Sequence, residues 1–445
     1  MRCKNLISLL LCALLLTSLA LPAAALEDSD LLSEAVIVMD ADTGQILYEK
    51  NMHEQLYPAS ITKIMTAYLA MKYLEPDQIL TMSQAAYNAV SRESSHISLT
   101  PGEELTVEQA LYAIGVVSAN DAANALAEAV SGSLEEFAEL MTAEAAALGA
   151  QDTHFANANG LTDSEHYTSA YDMAVITRAA IQIPGLMTYF STLQYEMPAT
   201  DRWVARTFNN QNRLITGVVP YEGVLMSKTG WTSAAQGTLV SVVEQNGIRL
   251  ICVTLKSPRT EDKYIDTTAL LDSCFTRYER ASVSGELLAA NLELQDYFVD
   301  AGQSFSFLLT EGSTVNDLTV TVNNPEVLNG SAEQAVLELS FSVSGDESLQ
   351  LPDGQLTLTR APEETLPEET EAGADAEDTG DPEAAGDTAA AAVQGIDIRL
   401  ICAAAAGLLL LLFLAGRLRK KLRRRRESRE RVRRLRSRME DRSQD

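Results

Sequence analysis

Three short motifs in this sequence carry side chains that could perform acyl transfer, and the first is Ser-x-x-Lys. Ser60 and Lys63 follow Pro58-Ala59, at the point where a helical pattern begins. The spacing of three places both side chains on one face of a helix, and a lysine with a lowered pKa can take the proton of an attacking serine. About two such matches arise by chance in a chain this long. The alternative is that Ser60 caps the helix and Lys63 is solvated.

The second motif, Ser118-Ala119-Asn120, interrupts two helical stretches that we predict at 107–117 and 121–130. A serine at this point could pass a proton, and an asparagine could hold a substrate amide. The alternative is that either residue only caps the second helix.

The third motif, Lys228-Thr229-Gly230, ends a strand-like segment at 224–227. The lysine and the threonine offer a cation and a hydroxyl to a terminal carboxylate, and the glycine would let an extended peptide approach the strand closely. The alternative is a turn after a strand. Each motif occurs once, and each falls at the element boundary that its chemistry needs.

The elements that would position these motifs come from segments far apart in the sequence, before and after a central helical block. Strands are predicted at 35–40 and 45–48, helices between 61 and 148, and a hairpin of 237–244 with 248–256 across Asn246-Gly247, a pair that tolerates the positive φ of a two-residue turn. This order predicts an α+β fold, with helices packed on an antiparallel sheet and a helical subdomain.

After residue 282 the pattern changes to short segments that alternate apolar and polar residues, which predict a small β-rich domain at 283–361. These segments are 304–309, 318–322, 335–343 and 356–359. Between 362 and 394 there are eleven acidic residues and no basic one, which predicts an acidic disordered stalk at 362–395.

The two chain ends predict export and anchoring. Residues 1–25 have the three regions of a cleavable signal peptide, so we place the body of the catalytic domain at 26–282; an uncleaved anchor is the alternative. The apolar run Leu400–Gly416 predicts a transmembrane helix at 396–418, followed by a basic cytoplasmic tail at 419–445. A helix lying in the membrane interface and a nucleic-acid-binding arm are the less favoured interpretations of these two segments.

Charge and cysteine content exclude several classes of function. The net charge is −28, but positions 417–445 carry 15 basic and 5 acidic residues, so the remainder carries −38 and would repel nucleic acid. The four histidines show no metal-ligand spacing, and we predict no metal and no cofactor. In the exported body only Cys252 and Cys274 remain, as buried free thiols or as a single bridge.

The three motifs, in this order, resemble those of the low-molecular-mass penicillin-binding proteins, specifically the D-alanyl-D-alanine carboxypeptidases. The resemblance covers about residues 30–280 and includes the entry strands, Asn157-Ala158-Asn159-Gly160-Leu161 and the segment 166–173. It implies a penicillin-binding/β-lactamase-like fold. It also implies a serine-type enzyme of the cell membrane that removes the terminal D-alanine from peptidoglycan stem pentapeptides, with an extracellular catalytic part that β-lactams acylate.

Carried over residue by residue, the resemblance implies one role for each matching position. Ser60 attacks, Lys63 is its base, and Ser118 and Lys228 belong to the proton-transfer network. Asn120 orients the peptide, Thr229 and Gly230 lie at the substrate, and the backbone N–H groups of Ser60 and Trp231 form the oxyanion hole. Lys263 lies near the place of a further carboxylate-binding cation.

Two departures and three rivals stay open. Relatives run on to Thr-x-x-Ala-Gly, whereas Gln236 stands before Gly237 here, and many end in an amphipathic helix rather than a spanning one. A serine β-lactamase is disfavoured because no Leu-Asn pair lies between Ser118 and Lys228. A transpeptidase differs only in the acceptor of the acyl group, and a catalytically silent wall-binding protein would keep the motifs unused.

Overall fold

The computed structural model describes residues 26–360, except 201, 295–296, 301, 330–331 and 347–348. The predicted signal peptide, stalk, transmembrane helix and basic tail lie outside the described residues. Among the residues that are described, no helix reaches the length and apolar content that crossing a bilayer requires.

Fifteen strands are described, and their bounds are β1 Ala35–Asp40, β2 Ile46–Lys50, β3 Ile79–Thr81, β4 Glu104–Thr106, β5 Gln194–Met197, β6 Arg206–Asn209, β7 Val224–Thr232, β8 Gln236–Gln245, β9 Ile248–Ser257, β10 Tyr278–Ser284, β11 Tyr297–Val299, β12 Ser304–Thr310, β13 Leu318–Val322, β14 Gln334–Val343 and β15 Gly354–Arg360. The described α-helices are α1 Lys63–Tyr73, α2 Gln84–Asn88, α3 Val107–Val116, α4 Asn120–Ser131, α5 Leu134–Ala147, α6 Ala170–Ala180, α7 Leu186–Ser191, α8 Asp262–Arg277 and α9 Gly285–Asn291.

An antiparallel sheet in the order β2-β1-β9-β8-β7 forms the centre of the body. The predicted hairpin is confirmed: β8 and β9 meet at Asn246 and Gly247, whose φ angles are 54° and 76°. The first strand then pairs with β9 from Ala35↔Leu255 to Asp40↔Leu250. The two ends of the catalytic body are thereby joined around the intervening helices, as the order of elements predicted.

Both faces of this sheet are covered by hydrophobic clusters. Alternate residues of each strand point to opposite sides, so each strand contributes to both clusters. Ile37 and its neighbours two residues away pack against α1, α3, α4 and α6 in one hydrophobic cluster. Val36 and Val38 point the other way, into a second cluster with Leu270 and Leu271 of α8. That second cluster continues into the β-rich region through Phe307 and Leu337, among others.

The β-rich region has a four-stranded sheet in the order β11-β15-β14-β13 and a separate pair, β10 with β12. Four of its strands, β12 to β15, match the predicted alternating segments closely, whereas β10 and β11 match none of them. The texture change predicted at 282 falls within β10, and the short helix α9 was not expected.

One predicted boundary is wrong. The strand that carries the third motif continues through Lys228-Thr229-Gly230 to Thr232, so neither a strand end nor a turn falls at the motif. The physical reason is that β8 pairs with β7 residue by residue as far as Thr232↔Gln236, with Trp231 opposite Gly237. Since β7 is an edge strand of the sheet, its other side is open to an extended ligand.

Candidate active site

Ser60 lies in a single 3₁₀ turn, Ala59–Thr62, that leads directly into α1. The Lys63 Nζ lies 3.1 Å from the Ser60 Oγ. The capping alternative is wrong, because no side-chain capping hydrogen bond is made at either helical start and Lys63 is fully buried rather than solvated. The two side chains therefore meet in the arrangement that a nucleophile and its base require.

The environment of Lys63 lowers the pKa of its amine. Its Nζ donates to the Asn120 Oδ1 and to the Asn159 carbonyl oxygen, both at 2.6 Å. Burial, followed by the charge of Lys228, holds the pKa of Lys63 well below its usual value, and Asp121 opposes this only in part. A neutral amine has two N–H groups and one lone pair. In that neutral form, the bonds to Asn120 and Asn159 would engage both N–H groups and leave the lone pair for the Ser60 hydroxyl.

Ser118 is held at the other side of the site by a strained backbone. Its φ is 61°, in the left-handed region that non-glycine residues seldom adopt, and α4 begins two residues later. The capping alternative is again wrong, since Ala119 occupies the N-cap position and makes no side-chain capping bond. The Lys228 Nζ donates to the Ser118 Oγ at 2.9 Å. A proton could therefore pass between these two groups.

Two further buried lysines, Lys228 and Lys263, lie beside this site. Burial and the charge of Lys263 lower the pKa of Lys228 to about 7. The Lys263 Nζ donates to the Gly230 carbonyl oxygen at 3.0 Å, and burial together with the charge of Arg213 lowers its pKa to about 8. The charge that Lys228 and Lys263 carry in their protonated forms favours an anionic ligand in this buried site.

Close approach between backbones fixes Ser60 from two sides. A Cβ on Gly230 would lie 2.8 Å from the Ser60 nitrogen and 2.3 Å from the Thr238 Oγ1, so the strand can lie here only without a side chain. A Cβ on Gly160 would lie 1.9 Å from the carbonyl oxygen of Ala59, a residue whose own φ is 50°. Strain of this kind is typical of positions that the surrounding fold over-determines.

The structure thus brings the predicted site residues together around Ser60. Thr229 is half-buried on β7, and the side chain of Trp231 is 47% exposed at the open edge. Through its contact with Gly230, Lys263 joins the same cluster.

Sequence reasoning missed three contributors to this site. Asn159 contributes its backbone carbonyl, which has no side-chain signature, and its segment was noted only through the resemblance. Asp121 accepts hydrogen bonds from the backbone N–H groups of Ile97 and Leu99 and so fixes the loop beside Asn120. His166 contacts Thr62 in the 3₁₀ turn Ala59–Thr62, which carries Ser60 and is called the nucleophile turn from here on. The one available signal for Asp121 was a carboxylate directly after the second motif.

Comparison with known proteins places this site in a family. The family profile described as D-alanyl-D-alanine carboxypeptidase matches residues 22–259. This chain belongs to that family. Its site is therefore the site of a serine peptidase, a hydrolase, within the penicillin-binding proteins, and the predicted family and enzyme class are confirmed.

Individual relatives agree with this assignment. The chain is 37% identical over 287 residues to the D-alanyl-D-alanine carboxypeptidase DacF of Bacillus subtilis, an alignment that covers 62% of this chain and 72% of DacF. It is 33% identical over 244 residues to DacD of Escherichia coli, covering 53% of this chain and 61% of that one.

Solved structures show the fold. A D-alanyl-D-alanine carboxypeptidase from Mycobacterium tuberculosis aligns with a TM-score of 0.51 and 29% identity, over 57% of this chain and 95% of that one. Penicillin-binding protein 6B from Escherichia coli aligns with a TM-score of 0.58 and 25% identity, over 75% of this chain and 97% of that one. The predicted α+β fold with helices on an antiparallel sheet is confirmed.

Proposed function

We propose that this protein removes the terminal D-alanine from peptidoglycan stem pentapeptides through an acyl-enzyme on Ser60. The observation that carries the proposal is the position of Lys63, a buried amine with a lowered pKa that lies 3.1 Å from the Ser60 Oγ and donates to the Asn120 Oδ1 and the Asn159 carbonyl oxygen. The family supplies the reaction class, and the chain's own residues supply each step.

In the first step the Ser60 Oγ attacks the carbonyl carbon between the two terminal D-alanines, and Lys63 takes the hydroxyl proton. The negative charge that develops on the carbonyl oxygen would be met by the backbone N–H groups of Ser60 and Trp231. Collapse of the intermediate forms an ester on Ser60 and breaks the peptide bond. The leaving amine takes a proton from Lys228 through Ser118, whose side chains are 2.9 Å apart, and departs as D-alanine. The proton that Lys63 took from Ser60 passes to Lys228, so that Lys63 is again a free base.

In the second step a water molecule attacks the ester and gives up a proton to Lys63, and the Ser60 oxygen is reprotonated as the shortened peptide leaves. Substrate orientation would come from the Asn120 amide, because its Oδ1 already binds Lys63 and its NH₂ group can donate. Thr229, Gly230 and the cation of Lys263 would receive the terminal carboxylate along the edge of β7.

A β-lactam presents a strained amide to the same groups, so we propose that it acylates Ser60. Supporting this, the neighbouring folds include penicillin-binding protein 6B and the Streptomyces K15 DD-transpeptidase, the latter with a TM-score of 0.52 and 27% identity.

We also propose that the enzyme acts outside the cell membrane. The predicted signal peptide at 1–25 would export it, the predicted helix at 396–418 would hold it as a single-pass protein, and the basic tail would stay in the cytoplasm. A stem-peptide substrate lies on that outer side.

The experiment combines labelling and turnover on the purified full-length protein. We expect a fluorescent penicillin to label the wild type covalently and not to label Ser60→Ala. We also expect the wild type, but not Ser60→Ala, to release D-alanine from a pentapeptide. Labelling that survives in Ser60→Ala would place the nucleophile elsewhere. An unlabelled wild type would favour a catalytically silent wall-binding protein. Adding an amino acceptor to the turnover assay separates hydrolysis from transpeptidation.

A further inference from the structure

His166 is a buried histidine that contacts the nucleophile turn through Thr62. Its side chain is about 1% exposed. The Nε2 lies 2.9 Å from the Thr62 Oγ1, and the Ala156 N–H donates to the Nδ1 at 3.0 Å. The ring of Phe155 packs edge-on against it, with centroids 5.6 Å apart. Both ring nitrogens are therefore occupied by groups from different segments of the chain.

Those two segments meet again at Lys63. Thr62 is the last residue of the 3₁₀ turn and directly precedes Lys63. Ala156 begins the segment 156–161, which presents the Asn159 carbonyl oxygen to the Lys63 Nζ and packs Gly160 against Ala59. His166 is thus a link between the part of the chain that carries the base and the part that orients it.

Other bonds hold this segment, but they reach different elements. Thr66 of α1 donates to the Ala158 carbonyl oxygen at 2.6 Å, and Asn159 donates to the Asn124 Oδ1 of α4 at 3.0 Å. Thr62 lies in the turn itself, so the bond from His166 acts one residue from the base and two from Ser60.

The hydrogen bonds assign the tautomer of His166. Because the Ala156 N–H points at the Nδ1, that nitrogen is the acceptor, and the ring proton is on the Nε2, which donates to the Thr62 hydroxyl. Burial lowers the pKa of His166 to about 3; among its ionisable neighbours Asp163 acts against this shift, while His154 and Lys63 in their protonated forms would reinforce it. The ring is therefore neutral at physiological pH and places no added charge beside Lys63.

We propose that His166 is a positioning residue for acyl transfer, which holds Lys63 at its hydrogen-bonding distance from Ser60 by joining the nucleophile turn to the segment that carries Asn159. This inference rests on the proposed function, because it assigns a role in the same reaction. His166 itself touches neither the substrate nor the reacting atoms.

Two substitutions of His166 each keep one of its bonds. In His166→Asn the amide oxygen can take the place of the Nδ1 and accept from Ala156, but the side chain is too short to reach Thr62. In His166→Gln the amide NH₂ can take the place of the Nε2 and donate to Thr62, but Ala156 loses its acceptor. The inference requires both bonds, so both variants should be impaired.

The measurement is the rate of acylation by a fluorescent penicillin, normalised to the folded fraction and recorded as a function of pH. We expect both variants to acylate at least about 10-fold more slowly, because small displacements of a catalytic group are costly. We also expect the acidic limb of the profile to move to higher pH by about one unit, since water that reaches Lys63 relieves the burial that lowers its pKa.

Thr62 tests the same bond from its other end if the histidine variants fold poorly. Thr62→Val keeps the shape but loses the acceptor and should reproduce the slower acylation, whereas Thr62→Ser keeps the hydroxyl and should acylate within about twofold of the wild type. His154→Asn is the matched control, because His154 lies just before the segment 156–161 but binds the Glu165 carbonyl oxygen and stacks on Tyr167; we expect no change.

The outcomes separate the two proposals. A wild type that is not labelled overturns the proposed function. A labelled wild type whose His166 variants acylate at the wild-type rate per folded molecule, with the same pH profile, overturns the positioning role alone and leaves His166 as a purely structural residue. Equal rates for Thr62→Val and Thr62→Ser would overturn it as well.

Discussion

The two larger sheets of this protein treat polar side chains in opposite ways. In the five-stranded sheet β1 is buried along its whole length, and buried polar groups such as Lys228, Thr238 and Ser241 stand among the apolar ones. In the four-stranded sheet β14 alternates strictly, and its inner face is entirely apolar. Among the described residues no polar side chain beyond Thr268 is classed as buried.

This difference separates the sheet that carries the candidate active site from the sheet of the β-rich region. Local preference and burial agree throughout β13, β14 and β15, as they do in sequences that specify one fold with little conflict. Around Ser60 they conflict: three lysines are buried near one another, and Ala59 and Ser118 adopt positive φ angles. Functional sites are where such conflicts persist.

The largest expected effect is the loss of the base. In Lys63→Met we expect the rate of penicillin acylation to fall by about 10³-fold or more, because general-base catalysis contributes on the order of 10²–10⁴ and the serine alone is a poor nucleophile. Lys72→Met is the matched control on the same helix, where an exposed lysine pairs with Glu144 at 2.6 Å. If Lys63→Met and Lys72→Met were acylated at the same rate, the buried lysine would not be the base, and the proposed difference between the two sheets would not reflect catalysis.

The next effect is a stability difference that depends on pH. The pKa of Lys228 is about 7 in the folded protein and has its ordinary value near 10.5 in the unfolded chain. Between these values the unfolded chain binds more protons, so the free energy of unfolding rises with pH. We expect the wild type to gain on the order of 3 kcal/mol relative to Lys228→Met as pH increases from 7 toward 10. Urea titrations at several pH values measure this difference in the free energy of unfolding. A difference that does not change with pH would contradict the burial of the Lys228 amine.

A pair of glycines tests whether close contacts cost activity or stability. Gly230→Ala and Gly354→Ala would each bring a Cβ to 2.3 Å from a neighbouring side-chain atom, the Thr238 Oγ1 in one case and a ring carbon of Phe305 in the other. We expect Gly230→Ala to lower the acylation rate of the folded protein by about 10²-fold, since a displacement near 1 Å at the site has that consequence. Gly354→Ala should lower the melting temperature and leave that rate unchanged.

The smallest expected effect compares one substitution in the two sheets. Val240→Thr introduces a hydroxyl where the side chain is fully buried, and we expect a loss of about 1–3 kcal/mol in the free energy of unfolding. Val336→Thr places the same group on the outer face of β14, where Val336 is 42% exposed, and should change it by less than about 0.5 kcal/mol. If chemical denaturation gave similar losses in the free energy of unfolding for both variants, the outer face of β14 would have to be covered.

The sequence predicted those features that depend on neighbours along the chain. The Asn246-Gly247 turn, the alternation at 318–322 and 335–343, and the break between α3 and α4 each leave a local pattern. The state of Lys63 leaves none, because its acceptors come from Asn120 and from a backbone carbonyl at Asn159. The positive φ of Ser118 and the continuation of β7 past Lys228 also arise from packing and pairing across the fold.

The hydrophobic cluster that joins α8 and the outer face of β1 to Phe307 and Leu337 has a consequence for where this chain can be cut. Gln45 is bonded at both ends of its amide to the backbone of Leu308, and Arg280 is paired with the fully buried Asp40. Ending the protein at 282 would therefore expose an apolar surface on the enzyme itself, leave the Gln45 amide without its partner, and remove β12, with which the strand of Arg280 pairs. The change in sequence pattern at that position therefore lies within a shared hydrophobic cluster, and we expect a protein that ends at 282 to aggregate more readily than one that ends at 360.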